Sequence, residues 1–527
     1  MNWSDGYVVD VPYTEGVYRE MTPPWLSLTS LLSTQPPLDT TQPSTYIELG
    51  CGRGLTAITV AATNPSAQVW ACDFNPAHIE RARQMATAAG LANCSFAEAS
   101  FEDLAGDRSV GPPQADVIAL HGVYSWITPA NRRHVVETIR QRLVPGGLVY
   151  VSYSVPTGWA GMQPIQQALR LQVATDRRRS DVAIRSAVAT IRQLAEDGAR
   201  SFPLAPREQS MFDGLEASDP VYAAHEYLGG SFTPMMFADV AAELAAAKCV
   251  YVGSATTTDA VLDFRVPADL VELVRASSDV ALRETICDLA GSAAFRRDVF
   301  RRGLALVSGP DHSRWMDELH LVSTGRQFDA SHVVATGAGA LQFDAAHYEP
   351  LVERLAEGPV TGAELRAMAV FRGRAHADLT TSVALLVAGG YAVPMLRDWE
   401  RNGSAEATWR VNEVLIDRAR RGDFGGVLLS PASGGAVSVA PLVALAIGEH
   451  WDDMALDKES LVDAVVARAR SSQLPVSQDG PMDAAATRGI IAEQVDTALQ
   501  ALSGPLRTLG VRAVQRRPQP SGKRRRH

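Results

Sequence analysis

At 527 residues, 46% of them hydrophobic and 20% charged, the chain has the composition of a folded globular protein and room for roughly three domains. Its net charge of −10 argues against a general nucleic-acid binder, and no apolar run approaches the length of a membrane span. Five scattered cysteines, none in a C-x-x-C pair, predict neither zinc nor disulfides and fit a reducing cytoplasm. So does an N-terminus, Met1 to Gly6, without the basic start and apolar core of a secretion signal.

A leader precedes the first strand. It carries Tyr13 and Tyr18 and then a helix expected over Pro24 to Leu32, started by Thr22 or Pro23. Such a segment can fold over a ligand as a lid, with the tyrosines meeting the ligand or simply packing the leader. Tyr46 to Leu49 read as a short apolar strand that runs into Gly50-Cys51-Gly52-Arg53-Gly54. Leu55, Ile58, Ala61 and Ala62 then give Leu55 to Asn64 one buried helical face. Strand, glycine turn and helix begin a nucleotide-binding βαβ unit, in which a Cβ would obstruct both the turn and the close approach of a ligand. Glu48 ahead of the turn suits a cationic ligand and is unwelcome beside a pyrophosphate. Asp73 ends a second strand, Gln68 to Cys72, about where an acid takes the hydroxyls of a ribose, with Phe74 beside it. The dehydrogenase pattern G-x-G-x-x-G fails, because its last glycine falls on Leu55 or Ala57. The rival reading is a glycine-rich surface turn.

Pro76 opens a helix that Gly90 stops. Cys94 to Ala97 form a third strand, and Ser100 and Phe101 after it are candidates to hold an adenine. The fourth strand, Asp116 to His121, delivers His121, Tyr124 and Trp126 to the reacting centre. After a helix over Asn131 to Leu143 and a turn at Pro145-Gly146-Gly147, Leu148 to Tyr153 make a fifth strand. This alternation predicts an α/β, Rossmann-like doubly wound sheet.

Two helices, Pro164 to Arg179 and Asp181 to Ala199, then read as an insertion over the substrate cleft. The sheet is expected to resume in 234–266, with a helix over Pro234 to Lys248 and strands at Cys249 to Val252 and Val261 to Val266. Ala268 to Gly325 read as helical, including the basic run Phe295 to Gly303, taken as a partly packed helix face. His225-Glu226 starts like a zinc-binding H-E-x-x-H, but position 229 is glycine, so no metal is expected. Residues 345–411 resemble a winged helix, with wing strands at Tyr391 to Pro394 and Ala407 to Val411. Its third helix lacks Lys and Arg between Asp378 and Gly390, which favours a protein contact over DNA. The basic tail, Arg516 to His527, reads as disordered, either a non-specific nucleic-acid or acidic-protein binder or a solubilising end. The domains are therefore expected at 1–160, 161–330 and 331–510, followed by the tail at 511–527.

The pattern E-x-G-x-G-x-G with an acid after the second strand resembles class I S-adenosylmethionine-dependent methyltransferases. Further pieces narrow this: His121-Gly122-Val123-Tyr124-Ser125-Trp126, Ser152-Tyr153 leading to Gly158-Trp159, Ala224-His225-Glu226-Tyr227-Leu228, Val252-Gly253-Ser254-Ala255 and Phe295-Arg296-Arg297-Asp298-Val299-Phe300. With them the chain resembles the bacterial members that carry a methyltransferase regulatory domain, a family including protein-lysine methyltransferases of outer-membrane proteins. The family's Gly-x-Asn run is replaced by Arg53-Gly54-Leu55-Thr56, and its Asn-x-x-Pro-Gly-Trp by Ser154 to Trp159, which leaves the acceptor open. The resemblance implies S-adenosyl-L-methionine as cofactor, a helical middle domain, a C-terminal accessory domain and homodimers. On this reading Tyr13, Glu48, Gly50, Gly52, Gly54, Asp73, Phe74, Ser100, Phe101 and His121 face the cofactor. Tyr124, Trp126, Tyr153 and Trp159 shape the acceptor cleft, and His121 is either a general base or a packing residue. A protein lysine is the expected acceptor. The rivals are a small-molecule methyltransferase and a non-catalytic regulator that docks DNA.

Overall fold

The computed structural model describes residues 6–40, 42–472 and 484–511. The basic tail expected to be disordered lies outside these residues. A seven-stranded sheet carries the first half of the chain: β1 Thr45–Leu49, β2 Gln68–Asp73, β3 Cys94–Glu98, β4 Ala115–Leu120, β5 Leu143–Ser154, β6 Cys249–Ser254 and β7 Phe295–Arg302. Their order is β3-β2-β1-β4-β5-β7-β6. The first five run parallel, with Tyr46 opposite both Val69 and Val117, and β7 is antiparallel to β5 and β6. Strands covered on both faces need continuous apolar runs, which Ile47, Leu49, Ile118 and Val149 supply.

The leader helix α1 (Pro23–Leu32) precedes this sheet, and crossover helices α2 (Leu55–Thr63), α3 (Pro76–Ala88), α4 (Phe101–Gly106) and α5 (Pro129–Arg142) cover it. Their starts are locally encoded. The Asn75 and Thr128 side chains accept from Ala77 and Asn131 N–H, each with proline in the first turn, and Ser100 with Asp103 forms a capping box. Strand order reverses between β1 and β4, which opens a crevice at the carboxyl ends of the strands.

Between β5 and β6 the chain makes α6 (Pro156–Trp159), α7 (Gln163–Ala174), α8 (Ser180–Glu196), α9 (Pro206–Ala217), α10 (Pro220–Leu228) and α11 (Phe237–Ala245). Helices α6 to α10 form a bundle around Ile165, Leu169, Ile184, Phe212 and Leu215 that roofs the crevice, the insertion expected there.

Three sequence expectations about this sheet are corrected. Val261 to Val266 are not a strand, since Leu262–Arg265 is a helical turn. The seventh strand is instead Phe295–Arg302, the basic run read as a helix. Its inward charges Arg296 and Asp298 are buried and paired, so they hide a strand from any hydrophobic count. Pro145-Gly146-Gly147 lies within β5, at a register shift opposite Ala115 to Val117, with Gly146 at φ 83°.

In the second half β8 (His320–Ser323) pairs antiparallel with β11 (Val360–Thr361) and β12 (Ala392–Pro394), while β9 (Val333–Thr336) and β10 (Gly339–Gln342) form a hairpin. Helices Ala345–Glu357, Gly362–Ala367 and His376–Ala388 pack around the three-stranded sheet. The expected wing strand at Ala407 to Val411 is instead the interior of helix Ser404–Ala419. Helix His376–Ala388 buries Leu379 and every residue from Ser382 to Val387, so its second half is a core element. A final hairpin, β13 (Val427–Ser430) with β14 (Gly435–Ser438), precedes helices Pro441–Asp452, Lys458–Ser471 and Ala484–Ser503. Helix Ser404–Ala419 lies against the first half: its Arg410 Nε donates to Ala89 O at 2.9 Å. Among the described residues no helix is long and apolar enough to cross a membrane.

Candidate active site

The turn after β1 is built from left-handed backbone. Gly50, Gly52 and Gly54 have φ of 70°, 52° and 77°. A Cβ on Gly50 would sit 2.6 Å from Val123 Cγ2, and one on Gly54 2.7 Å from Ala82 Cβ and the Phe96 ring, so neither position tolerates a side chain. Asp73, at the end of β2, holds the turn from outside. Its carboxylate accepts Gly52 N–H and Asn75 N–H, both at 2.9 Å, and lies 3.2 Å from His78 Nδ1.

Above the turn is a cavity of about 970 Å³. The sequence-predicted residues Tyr13, Glu48, Gly50, Gly52, Gly54, Asp73, Phe74, Ser100, Phe101, His121, Trp126 and Trp159 all line it. Phe74 packs against Tyr7 from the leader at 5.1 Å. Ser100 Oγ is committed to the α4 cap, accepting Asp103 N–H at 3.1 Å. Trp126, Trp159 and Tyr227 give the cavity an aromatic wall: Trp159 contacts Tyr227 at 5.8 Å, and Phe232 packs on it, 4.4 Å from Trp126 and 4.7 Å from Trp159.

Tyr124 and Tyr153 are not in this wall. Tyr124 is fully buried in the sheet's other core and donates to Glu243 Oε2 at 2.5 Å. Tyr153 donates to Asp298 Oδ2 at 2.6 Å inside a buried ion cluster. Both were expected in the cleft because they sit near strand ends. The pleat sends Tyr153 to the opposite face of β5 from Ser152 and Ser154, and Ser154 is the one that lines the cavity.

Burial dominates the electrostatics. It pushes the Glu48 carboxyl up to about 8, with Ala57 N–H pulling the other way and Asp73 adding to the rise. Among the described residues Glu48 Oε2 has no hydrogen-bond partner. The His121 ring stacks on Tyr18 at 3.8 Å, and its Nδ1 lies 2.8 Å from Tyr150 Oη. Burial, then Arg297, push its imidazole down to about 3. It is therefore neutral at any working pH and a weak proton acceptor, which favours packing over general-base work.

One residue missed by the sequence reading completes the cavity. Glu226, on α10, lines it beside Tyr222, His225 and Tyr227, and burial pushes its carboxyl up to about 7. The available signal was the segment Ala224-His225-Glu226-Tyr227-Leu228, which the sequence offers as a failed metal motif and as a piece of the family resemblance, with no role for Glu226. His225 Nε2 instead lies 3.2 Å from Val11 O.

Glu48 and Glu226 make stability depend on pH. Both folded values are raised, so the folded state keeps protons that the unfolded chain has shed. Their contribution is complete below about pH 4.5 and is lost as pH rises through about 7 and 8. Thermal melts of the ligand-free protein should therefore fall from pH 5 to 8.5, and Glu48→Gln should flatten that fall. An unchanged slope in the variant would show that Glu48 is ionised throughout.

Comparisons with known proteins agree with this geometry. A family model described as a methyltransferase domain matches residues 47–149, and one described as a predicted methyltransferase regulatory domain matches residues 219–302. The second match spans α10, α11, β6 and β7, so it supplies two strands of the sheet and one wall of the cavity. An uncharacterized protein of Synechocystis is 32% identical over 442 residues, 83% of this chain and 86% of its own length. The tRNA 5-carboxymethoxyuridine methyltransferase of Escherichia coli is 31% identical over 130 residues, 24% of this chain and 46% of its own. The structure of PKMT2 from Rickettsia typhi in complex with AdoHcy shares the fold, with a TM-score of 0.67 at 17% identity, covering 93% of this chain and 98% of that one.

S-Adenosylmethionine is the cofactor, and the cavity residues suit it. The buried Oε2 of Glu48, unpartnered among the described residues, could take a cationic amino-acid end, Asp73 at the end of β2 could reach a ribose, and the glycine turn leaves room for close approach. The chain belongs to the class I S-adenosylmethionine-dependent methyltransferases that carry a methyltransferase regulatory domain.

Proposed function

We propose that this methyltransferase modifies a protein, at the primary amine of a lysine side chain. The observation that carries the reading is the wall of the cavity. Trp126, Trp159 and Tyr227 line it with aromatic faces, Phe232 packs on both tryptophans, and the carboxylates of Glu48 and Glu226, neither in an ion pair among the described residues, line the same space. Such a channel suits an aliphatic stem with a cationic tip, through apolar burial along the stem and cation–π attraction at the tip.

Bound S-adenosylmethionine supplies an activated methyl group: the S–CH₃ bond breaks with its electron pair left on sulfur, an N–CH₃ bond forms, and the positive charge passes to nitrogen. The chain's own part is placement. Glu48 answers the cationic end of the cofactor, Asp73 the ribose, and Phe74, Ser100 and Phe101 flank the adenine. Tyr13 and Tyr18 close the leader over the space, and His121 supports Tyr18 by stacking. Trp126 and Trp159 guide the acceptor.

The test is transfer from methyl-labelled S-adenosylmethionine by the full-length protein to poly-L-lysine, poly-L-arginine and bulk tRNA. Label is expected in poly-L-lysine alone. Label confined to tRNA would overturn the protein-amine reading.

A further inference from the structure

We propose that Glu226 is a catalytic residue that receives the acceptor: its carboxylate pairs with the incoming ammonium and takes one proton from it before methyl transfer. This rests on the amine reading above. Glu226 lies on α10, whose start is fixed by Asp219 accepting Val221 N–H at 2.8 Å and Tyr222 N–H at 3.3 Å. The helix end is held against the segment after β4, where a Cβ on Gly229 would meet the Trp126 ring at 2.7 Å. Glu226 is therefore presented from a fixed element and not from a loop.

Its carboxylate is idle where its neighbours are engaged. Among the described residues no hydrogen bond or ion pair reaches it, although it lines the cavity. Glu15 is paired with Arg418, and Asp73 is occupied by backbone N–H groups. Glu48 also keeps a free oxygen, but it comes from β1 beside the glycine turn, on a different wall. Tyr18 lies near enough to feel the charge of both carboxylates, and Tyr13 that of Glu226. The two acids therefore border one space, with the leader phenols beside it: Glu48 serves the cofactor and Glu226 the acceptor.

The surroundings suit proton transfer. Tyr13 and Tyr18 face Glu226 from the leader, Tyr222, His225 and Tyr227 from its own helix, and Arg207 lines the cavity from α9. Burial holds the carboxyl at about 7, so at neutral pH a large share is ionised and its conjugate acid is not costly to form. The N–H electron pair stays on nitrogen as the lone pair that attacks, and the proton forms an O–H bond on Glu226. Pairing a carboxylate with an ammonium and ending with an acid and an amine leaves the charge of the pair at zero throughout. Glu226 then gives its proton to solvent, so one proton is released for each methyl transferred.

The experiment compares full-length wild type with Glu226→Gln, which keeps shape and removes the base. S-Adenosylhomocysteine affinity by calorimetry should stay within about twofold, whereas transfer to poly-L-lysine should fall roughly 100-fold, within the range of lost general-base catalysis. Poly-L-lysine binding to the S-adenosylhomocysteine complex should weaken in parallel. Wild-type transfer by the variant would overturn the proposal and leave the amine reading standing. A loss of S-adenosylhomocysteine affinity as large as the loss of rate would overturn it in favour of a cofactor or structural role. A wild type that methylates no amine would overturn both.

Discussion

Arg296→Met should cost the fold about 3–5 kcal/mol, the penalty for stripping buried carboxylates of their partner. Arg296 lies on β7 and is 5% exposed. Its Nε donates to Asp298 Oδ2 at 2.7 Å, Nη1 to Asp288 Oδ1 at 2.6 Å and Nη2 to Glu284 Oε2 at 2.9 Å. The guanidinium also lies 4.6 Å over the Phe237 ring. Arg265 is the second cation, 2.7 Å from Glu284 and 3.6 Å from Asp288. The substitution leaves Arg265, with the more exposed Arg283 at 4.0 Å from Glu284, to face three acids. Even with both present, burial pushes Asp288 up to about 6 and Asp298 upward. Without Arg296 these values rise further, so the folded variant holds protons that its unfolded chain releases. Its deficit should therefore be small at pH 5 and grow as pH rises toward 8. Urea unfolding at both pH values measures this, with the exposed Arg275→Met as control. A deficit under about 1 kcal/mol at pH 8 would show that the cluster does not depend on Arg296.

That cluster also marks where the sequence stops being readable. From Thr45 to Leu120 the central strands β1 and β4 are mostly apolar runs, and α3 and α4 start at proline, asparagine or serine signals, so local chemistry and tertiary position agree. Glu48, the three glycines and Asp73 were legible for the same reason: the turn forces their types and spacing. β7 was not, because its alternation is written in arginine and aspartate whose partners, Glu284 and Asp288, come from a helix before it in the chain. No hydropathy window can see a charge neutralised by a residue it does not know is near. Tyr124 and Tyr153 failed on direction, since a strand end in sequence does not say which face a ring takes. Ala407 to Val411 failed because apolar residues in a short window fit strand or helix, and the helix is set by packing on α2 and α3. Glu226 was invisible as an acceptor residue because its burial is made by the leader folding over α10, a contact across more than 200 residues.

Arg418→Met should cost a similar amount, about 3–5 kcal/mol, and should also weaken S-adenosylhomocysteine binding. Arg418 belongs to helix Ser404–Ala419 in the second half of the chain, yet its Nη2 donates to Glu15 Oε2 in the leader at 2.5 Å. Both side chains are nearly sealed, 4% and 3% exposed. The same guanidinium donates to Asp423 at 3.0 and 3.1 Å, and Asp423 pairs in turn with Arg81 of α3. Arg53 of the glycine turn completes the knot, 3.9 Å from Glu15 and 3.8 Å from Asp423. Glu15 sits between Tyr13 and Tyr18, so the accessory half pins the leader segment that covers the cofactor cavity. Removing Arg418 takes the hydrogen-bonded cation from a buried carboxylate and leaves it, among the described residues, only Arg53 at 3.9 Å, and the leader relieves it by moving toward water. Closure over the cofactor then has to reverse that movement, so affinity should fall roughly tenfold, which corresponds to about 1.4 kcal/mol. Glu15→Gln in the Arg418→Met background removes the stranded charge and should restore most of both losses, because a buried pair replaced as a pair is close to neutral. Denaturation and calorimetry on the two single variants and the double variant measure the coupling. Strictly additive losses, or wild-type melting and affinity in Arg418→Met, would show that the accessory half does not hold the leader in place.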